Sequence, residues 1–232
     1  MHGNPDHHCA PAHTPLPGTR NANRHLGHVA LALLAFAIFA FSLKAVASPE
    51  VQARYTPVVI VHAGAMIAWL ALFASQAYLA ASGRLALHRR LGKASLALVL
   101  LMSVTGAMIS VNIGLELGRP EVTIVNLAAF AVFVPLYLAA LRFAARRRVH
   151  EHRLAMLIAT LALMTPAYAR VVQVLGLWDP IAIALDISLT GLVAAGYDLA
   201  ITRRLTRPLI WMLAFGYAVR AAMIAVLAVW FL

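Results

Sequence analysis

Seven long apolar runs leave this chain few possible folds. They cover residues 28–47, 57–82, 94–114, 122–144, 154–176, 180–200 and 208–232. An α-helix needs about 20 apolar residues to cross a hydrocarbon core roughly 30 Å thick, and lipid offers no partner to an unpaired backbone group. Each run is therefore expected to be a helix. The sequence predicts an all-α fold, a polytopic integral membrane bundle of seven transmembrane helices within residues 26–232.

Composition excludes several classes of protein. Apolar residues make up 62% of the chain and charged residues 12%, with a mean hydropathy of +0.83. Soluble domains are about 45–50% apolar and about 25% charged, so a soluble globule could not bury this much apolar surface. The single cysteine, Cys9, excludes an intrachain disulfide. The lipid bilayer is therefore the first expected partner.

The basic residues predict an orientation in the membrane. Of the 19 Lys and Arg residues, 14 lie in the N-terminal tail and around three connections. These are Arg20, Arg24, Arg84, Arg89, Arg90, Lys93, Arg142, Arg146, Arg147, Arg148, Arg153, Arg203, Arg204 and Arg207. By the positive-inside rule the N-terminus is cytoplasmic, in a multi-pass protein of the bacterial cytoplasmic (inner) membrane. Because short loops share these charges, no nucleic-acid partner is expected.

The segment before the first span is polar and rich in histidine. Residues 1–25 cannot build a core, so a disordered cytoplasmic tail is expected. His7, His8 and Cys9 are candidate Zn or Cu ligands there, because imidazole and thiolate suit these metals; the alternative is a tail without metal. The A-x-A pattern at 45–47 fits a signal-peptide cleavage site, but the long polar leader favours an uncleaved first helix.

Three ionisable residues lie inside the spans, where a charged side chain costs about 2.5 kcal/mol or more. Arg170, Asp186 and Arg220 each fall roughly 10–15 Å from the outer edge of their helix, so we expect them to share one layer of the bundle. Two interpretations stay open. The group is either a structural ion-pair cluster, or a site where the surplus cation binds a lipid phosphate, a substrate carboxylate or a propionate.

The second helix adds two polar positions. His62 and Gln76 are spaced to lie on one face with Trp69. Gln76 is grouped with the intramembrane polar residues. His62 is a candidate haem ligand, proton carrier or hydrogen-bonded packing residue.

Two further histidines stand at basic edges of the spans. His88 precedes the third span and His152 the fifth, where each either binds a cofactor or is solvated at the membrane edge. His152 and Arg170 are 18 residues apart and would share a face of one helix. Pro166 is expected to kink that helix.

The order of these residues resembles that of an uncharacterised family of bacterial membrane proteins catalogued as domain of unknown function 2306. The resemblance covers helices two to five and rests on His62, Gln76, His88-Arg89 with Gly92, His152-Arg153-x-x-Met156 and Arg170. In that family a histidine opens one span, a glutamine closes it, and His-Arg pairs open later spans. The resemblance implies a helical membrane architecture and no particular activity.

The helix-opening histidines are also similar to those of the four-helix core of cytochrome b561, which holds b-type haems between histidine pairs. This resemblance implies that His88 and His152 are axial ligands of haem b. It also implies an outer ligand at His62, opposite which the fourth helix offers only Asn126. It further implies that Arg170 and Arg220 bind the haem propionates or tune the reduction potential.

Three functions stay open at this point. The first is a b-type haem electron-transfer protein with a polar site in its bundle. The second is a non-catalytic protein that binds anionic lipid or assembles with other membrane proteins. The third, a small-solute carrier, is disfavoured because neither half of the chain obviously repeats the other. No nucleotide-binding or hydrolase motif is present, so no enzymatic activity is assigned.

Overall fold

The computed structural model describes residues 17–116 and 118–231. A 3-10 helix (Pro49–Arg54) joins the first two α-helices. The α-helices are α1 (Pro17–Ala47), α2 (Pro57–Ala81), α3 (Leu85–Glu116), α4 (Pro120–Ala145), α5 (Val149–Leu161), α6 (Thr165–Val174), α7 (Pro180–Thr202) and α8 (Arg207–Phe231). The candidate metal ligands His7, His8 and Cys9 lie outside the described residues.

Seven segments of this fold are long and apolar enough to cross a membrane, which confirms the predicted all-α, seven-span architecture. Large apolar side chains cover the outer surface, where Val229 is 83% exposed and Leu192 is 69% exposed. Contact of such an apolar surface with lipid is favourable, whereas its contact with water is unfavourable. The chain is therefore an integral membrane protein.

Local chemistry explains where several helices begin. Pro57, Pro120 and Pro180 lie in the first turns of their helices, where the missing N–H of proline costs nothing. The Thr56 hydroxyl also caps α2 by accepting the N–H of Val59 at 3.4 Å. These prolines therefore help to define where the three helices begin.

Residues 17–25, predicted to belong to a disordered tail, are helical and form the first turns of α1. The cause is tertiary, because Arg153 of α5 holds this segment. Arg153 Nε donates to Asn23 Oδ1 at 2.7 Å, and its Nη2 donates to the Thr19 carbonyl at 3.3 Å. The Tyr197 hydroxyl donates to the Ala22 carbonyl at 3.3 Å. The composition of a segment does not show such distant partners.

Replacing Arg153 with Leu is expected to loosen the first turns of α1. Asn23 Oδ1 would be left buried without its donor, at a cost of about 1–3 kcal/mol. Trypsin should then cut faster after Arg20 and Arg24 in the purified variant, as measured by mass spectrometry. Arg90→Leu is a matched control, because Arg90 is an exposed arginine at the same end of the bundle. Equal cleavage rates in the two variants would contradict this role of Arg153.

The fifth predicted span is broken in its middle. Residues 162–164 leave the helix and separate α5 from α6, and Pro166 lies in the first turn of α6. Proline has no N–H for the carbonyl four residues earlier, so Ala162 cannot continue the helical ladder. The predicted kink at Pro166 is confirmed, and the break changes the direction of every side chain that follows it.

The α5 helix lies at the centre of the bundle. It packs against α4, α7 and α8, while α6 packs against α1 and α7. Leu157 and Ile158 are 0% exposed. Because neighbours surround α5, the polar side chains of its first turns reach three different helices. His150 contacts α7, His152 contacts α4 and Arg153 contacts α1.

Two helical hairpins, α2–α3 and α4–α5, contain the same turn 64 positions apart, at residues 83 and 147. The equivalent pairs are Gly83 and Arg147, Arg84 and Arg148, Leu79 and Phe143, and the His-Arg pairs 88–89 and 152–153. Both residues of the first pair have positive φ, +77° and +59°. In both turns the next N–H bonds to the equivalent carbonyl at 2.9 Å. The described part of the chain thus contains a structural repeat, although few of the equivalent residues are identical.

Candidate functional site

His88 and His152 come together at the basic end of the bundle, the end that carries the 14 basic residues named above. The centres of their rings are 6.4 Å apart, and the ring planes are nearly perpendicular, at 85°. Each histidine lies in the first turn of its helix, α3 or α5. The two histidines that the sequence singles out as a cofactor pair are therefore neighbours in the fold.

Each ring is held by one backbone carbonyl of the preceding helix. His88 Nδ1 lies 3.2 Å from the Gln76 carbonyl oxygen, and His152 Nδ1 lies 2.9 Å from the Ala140 carbonyl oxygen. Because a carbonyl only accepts, Nδ1 carries the proton in each neutral ring and Nε2 carries the lone pair. Neither Nε2 has a hydrogen-bond partner in the described part of the chain. Both histidines therefore offer a free ligand nitrogen.

The hairpin repeat explains why these histidines meet. Both carbonyl contacts join residues 12 positions apart, and Gln76 and Ala140 are themselves an equivalent pair. Trp69 of α2 and its equivalent in α4, Phe133, also touch, with ring centres 5.1 Å apart. Equivalent side chains of the two hairpins therefore meet at two depths, at the histidine pair and at Trp69 with Phe133.

Gln76 and Gly92 complete the surroundings of His88. Gln76 Nε2 donates to the His88 carbonyl at 3.1 Å, so Gln76 belongs with the histidine pair and not with the arginine and aspartate residues with which it was grouped. At Gly92, one turn after His88, a Cβ would have only Gln76 Nε2 within 4 Å, at 3.8 Å. The missing side chain leaves space beside the Gln76 amide group.

His62 lies far from this pair, near the start of α2. Its Nδ1 is 3.0 Å from Thr105 Oγ1, and this hydroxyl donates to the Leu101 carbonyl at 2.7 Å, so it accepts from His62. Gly106 makes room for the ring, since a Cβ there would lie 2.9 Å from His62 Cε1. The equivalent position on α4 is Asn126. Of the three roles considered for His62, the geometry favours the hydrogen-bonded packing residue.

Asp186 and Arg220 form an ion pair between α7 and α8 inside the membrane. Arg220 Nε donates to Asp186 Oδ2 at 2.8 Å, and Nη2 donates to the same oxygen. The two residues are 2% and 5% exposed. Asp186 Oδ1 has no partner in the described residues and borders a narrow cavity, shared with Thr165, that has room for about one water molecule.

Arg170 is not part of this pair, which corrects the predicted three-residue cluster. Its guanidinium lies over the Phe41 ring of α1, 5.3 Å from the ring centre, and no carboxylate oxygen of the described residues lies within 4.0 Å. The prediction rested on depth along each helix, which does not fix the direction in which a side chain points around that helix. Arg170 is 18 residues after His152 and lies roughly 25 Å from it along α5 and α6. Arg170 is too far from the histidine pair to bind a group there, and Arg220 is already bonded to Asp186.

Asp198 is a polar contact that the sequence pattern does not single out. It is 0% exposed; its Oδ1 lies 2.9 Å from His150 Nε2, and its Oδ2 accepts the N–H of Thr206 at 2.7 Å. These contacts join the end of α7 to the start of α5 and to the segment before α8. A carboxylate in the last turns of an apolar span is the signal that could have identified it.

Comparison of the chain with protein family models, with curated proteins and with solved structures found no match. The interpretation of the site therefore rests on its own chemistry. That chemistry is a pair of oriented imidazoles within a hairpin repeat, at one end of a membrane bundle.

Proposed function

We propose that this membrane protein binds one b-type haem between His88 and His152 and carries electrons with it. The observation that supports the proposal is the 6.4 Å separation of the two ring centres. A metal-bound imidazole nitrogen lies about 2 Å from its metal and the ring centre roughly 1 Å further, so imidazoles on opposite sides of one metal have centres roughly 6 Å apart. The spacing suits a single metal between the rings.

The donor set favours haem over a bare metal ion. Within residues 17–116 and 118–231, no group of three or more His, Cys, Asp and Glu side chains could hold a metal ion. Zinc sites use three or four protein ligands, whereas a haem iron receives four nitrogens from the porphyrin and needs only axial ligands from the protein. Two histidines are therefore sufficient for a haem.

Neighbouring groups of the chain orient the ligands and keep water away. The carbonyls of Gln76 and Ala140 hold the tautomer and direction of the two rings. Trp69, Phe133 and Tyr137 pack together deeper in the bundle, and each is at most 1% exposed. This dry aromatic layer separates the histidine pair from the other half of the membrane.

The basic end also supplies positive charge. Arg89 and Arg90 directly follow His88 and are exposed, so they are available to haem propionates. Bound haem would supply reversible one-electron transfer. Because the histidines lie in the first turns of α3 and α5, the electron would be exchanged with a partner at this end of the bundle.

The absorption spectrum of the purified protein tests the proposal. Protein from haem-replete cells is expected to show a Soret band that shifts on reduction with dithionite, and a haem content of about one per chain. Haemin added to protein purified without haem should saturate at the same ratio. A missing Soret band in both preparations would overturn the proposal.

A further inference from the structure

Arg170 is a cation without an acidic partner near the end of the bundle opposite the histidine pair. It lies four residues before the end of α6 at Val174, about 6 Å along the helix. Within the described residues, no ion pair or hydrogen bond engages its guanidinium, which has five N–H donors. Because partly buried donors without acceptors are unfavourable, this guanidinium is expected to bind an acceptor from outside the described residues.

Two acidic side chains at this end are engaged by donors other than Arg170. Asp179 Oδ2 accepts Arg119 Nη2 at 2.9 Å, and its Oδ1 accepts Gln173 Nε2 at 3.4 Å. Glu121 Oε1 accepts Arg119 Nε at 2.8 Å. The hydrogen bonds to Glu121 and Asp179 raise the pKa of Arg119. Arg119 thus takes up these two carboxylates, and neither of them bonds to Arg170.

The site of Arg170 opens toward lipid. Phe41, under the guanidinium, is 45% exposed on the outer face of α1. Tyr55 and Trp178 are 47% and 75% exposed at the same end, where aromatic residues mark the boundary between acyl chains and headgroups. An arginine with its stem in the acyl region can extend its charged end to the headgroups.

We propose that Arg170, stacked on Phe41, binds the phosphate of an anionic lipid headgroup. The planar guanidinium fork matches two phosphate oxygens and keeps its face on the aromatic ring, a combination that lysine cannot provide. Lys44, one turn after Phe41 on α1, adds a positive charge on the same side of the helix. The site lies in the opposite half of the bundle from the histidine pair, so it is independent of haem binding.

Lipid binding by matched arginine variants tests the proposal. Wild type, Arg170→Gln and Arg54→Gln are titrated in detergent with phosphatidylglycerol or phosphatidylcholine, and retained lipids are counted by native mass spectrometry. Arg54 is exposed at the same end, so its variant loses the same charge. Arg170→Gln is expected to bind phosphatidylglycerol about fivefold more weakly, and Arg54→Gln to bind it as wild type does. Phosphatidylcholine should bind more weakly to all three proteins.

Two additional variants cover the case in which Arg170→Gln does not fold. If Arg170→Gln fails to fold, Arg170→Lys keeps the charge but loses the fork, and Phe41→Leu removes the stacked ring; each should weaken phosphatidylglycerol binding. Unchanged binding in every Arg170 and Phe41 variant overturns the site. Equal weakening in Arg54→Gln shows that net charge alone attracts the lipid, which also overturns it. Inorganic phosphate that displaces the lipid at equal concentration would show a free-anion site instead.

Discussion

Replacement of either His88 or His152 by Gly is expected to abolish the six-coordinate haem spectrum, and the double variant is expected to retain no haem through purification. Each histidine offers one Nε2, and the 6.4 Å ring separation requires both for a metal held between them. The measurement is the ratio of Soret to protein absorbance, with the reduced spectrum of each variant. Free imidazole should restore six-coordination in each single variant, because the glycine leaves a cavity shaped for it.

His62→Gly is the matched control for this prediction. His62 is the other histidine within the spans of α2 and α3, and it is hydrogen bonded to Thr105 roughly 21 Å from Gln76 along α2. Its removal should leave the haem content and the spectrum unchanged. A Soret band retained by the double variant, or an equal loss on His62→Gly, would contradict the assignment of His88 and His152.

Replacement of Arg220 alone by Met is expected to destabilise the protein by about 3–5 kcal/mol, because Asp186 would stay as a buried charge without its partner. The double change Asp186→Leu with Arg220→Met should recover most of this loss, since a buried ion pair can be exchanged for apolar side chains at little cost. Both residues are almost fully buried, which makes the effect large. Unfolding by denaturant in one detergent, for the four proteins of the cycle, measures the coupling.

Arg119→Met provides the control for the ion-pair prediction. Arg119 bonds to Asp179 at 2.9 Å, but the two side chains are 43% and 45% exposed, so the pair should contribute less than about 1 kcal/mol. If Arg220→Met lowers the free energy of unfolding no more than Arg119→Met does, burial does not control the strength of these ion pairs. A double variant as unstable as the sum of its single variants would show that Asp186 and Arg220 are not coupled.

The sequence identified individual polar residues better than it grouped them. His88 and His152 were expected to form a pair, and their rings are adjacent in the fold. Gln76, by contrast, was grouped with the arginine and aspartate residues, but it bonds to the His88 backbone. Arg170 was placed beside Asp186, although it lies on Phe41. Spacing along a helix predicts the depth of a side chain, whereas its partners depend on which neighbouring helix it faces, and that is decided by packing.

The hairpin repeat shows another limit of sequence patterns. Arg147 takes the left-handed position that Gly83 takes in the other hairpin, so the two equivalent turns share no residue there. The polar signal that remains is Arg84 with Arg148 and the His-Arg pair at the same offset in both hairpins. So few matching residues do not indicate a repeat until hydrogen bonds show that both turns have the same geometry.

The number of spans and the segregation of basic residues followed from the sequence alone, because apolar length and loop charge are local properties that need no knowledge of neighbours. Tertiary structure decided the rest. Arg153 binds the helical segment 17–25, and Asp186 pairs with Arg220 and not with Arg170. Among the described residues, Arg170 contacts the Phe41 ring and no carboxylate. Those outcomes depend on how the helices pack against one another, and packing involves partners that the pattern of a single span does not contain; the break at Pro166, in contrast, was predictable from the span itself.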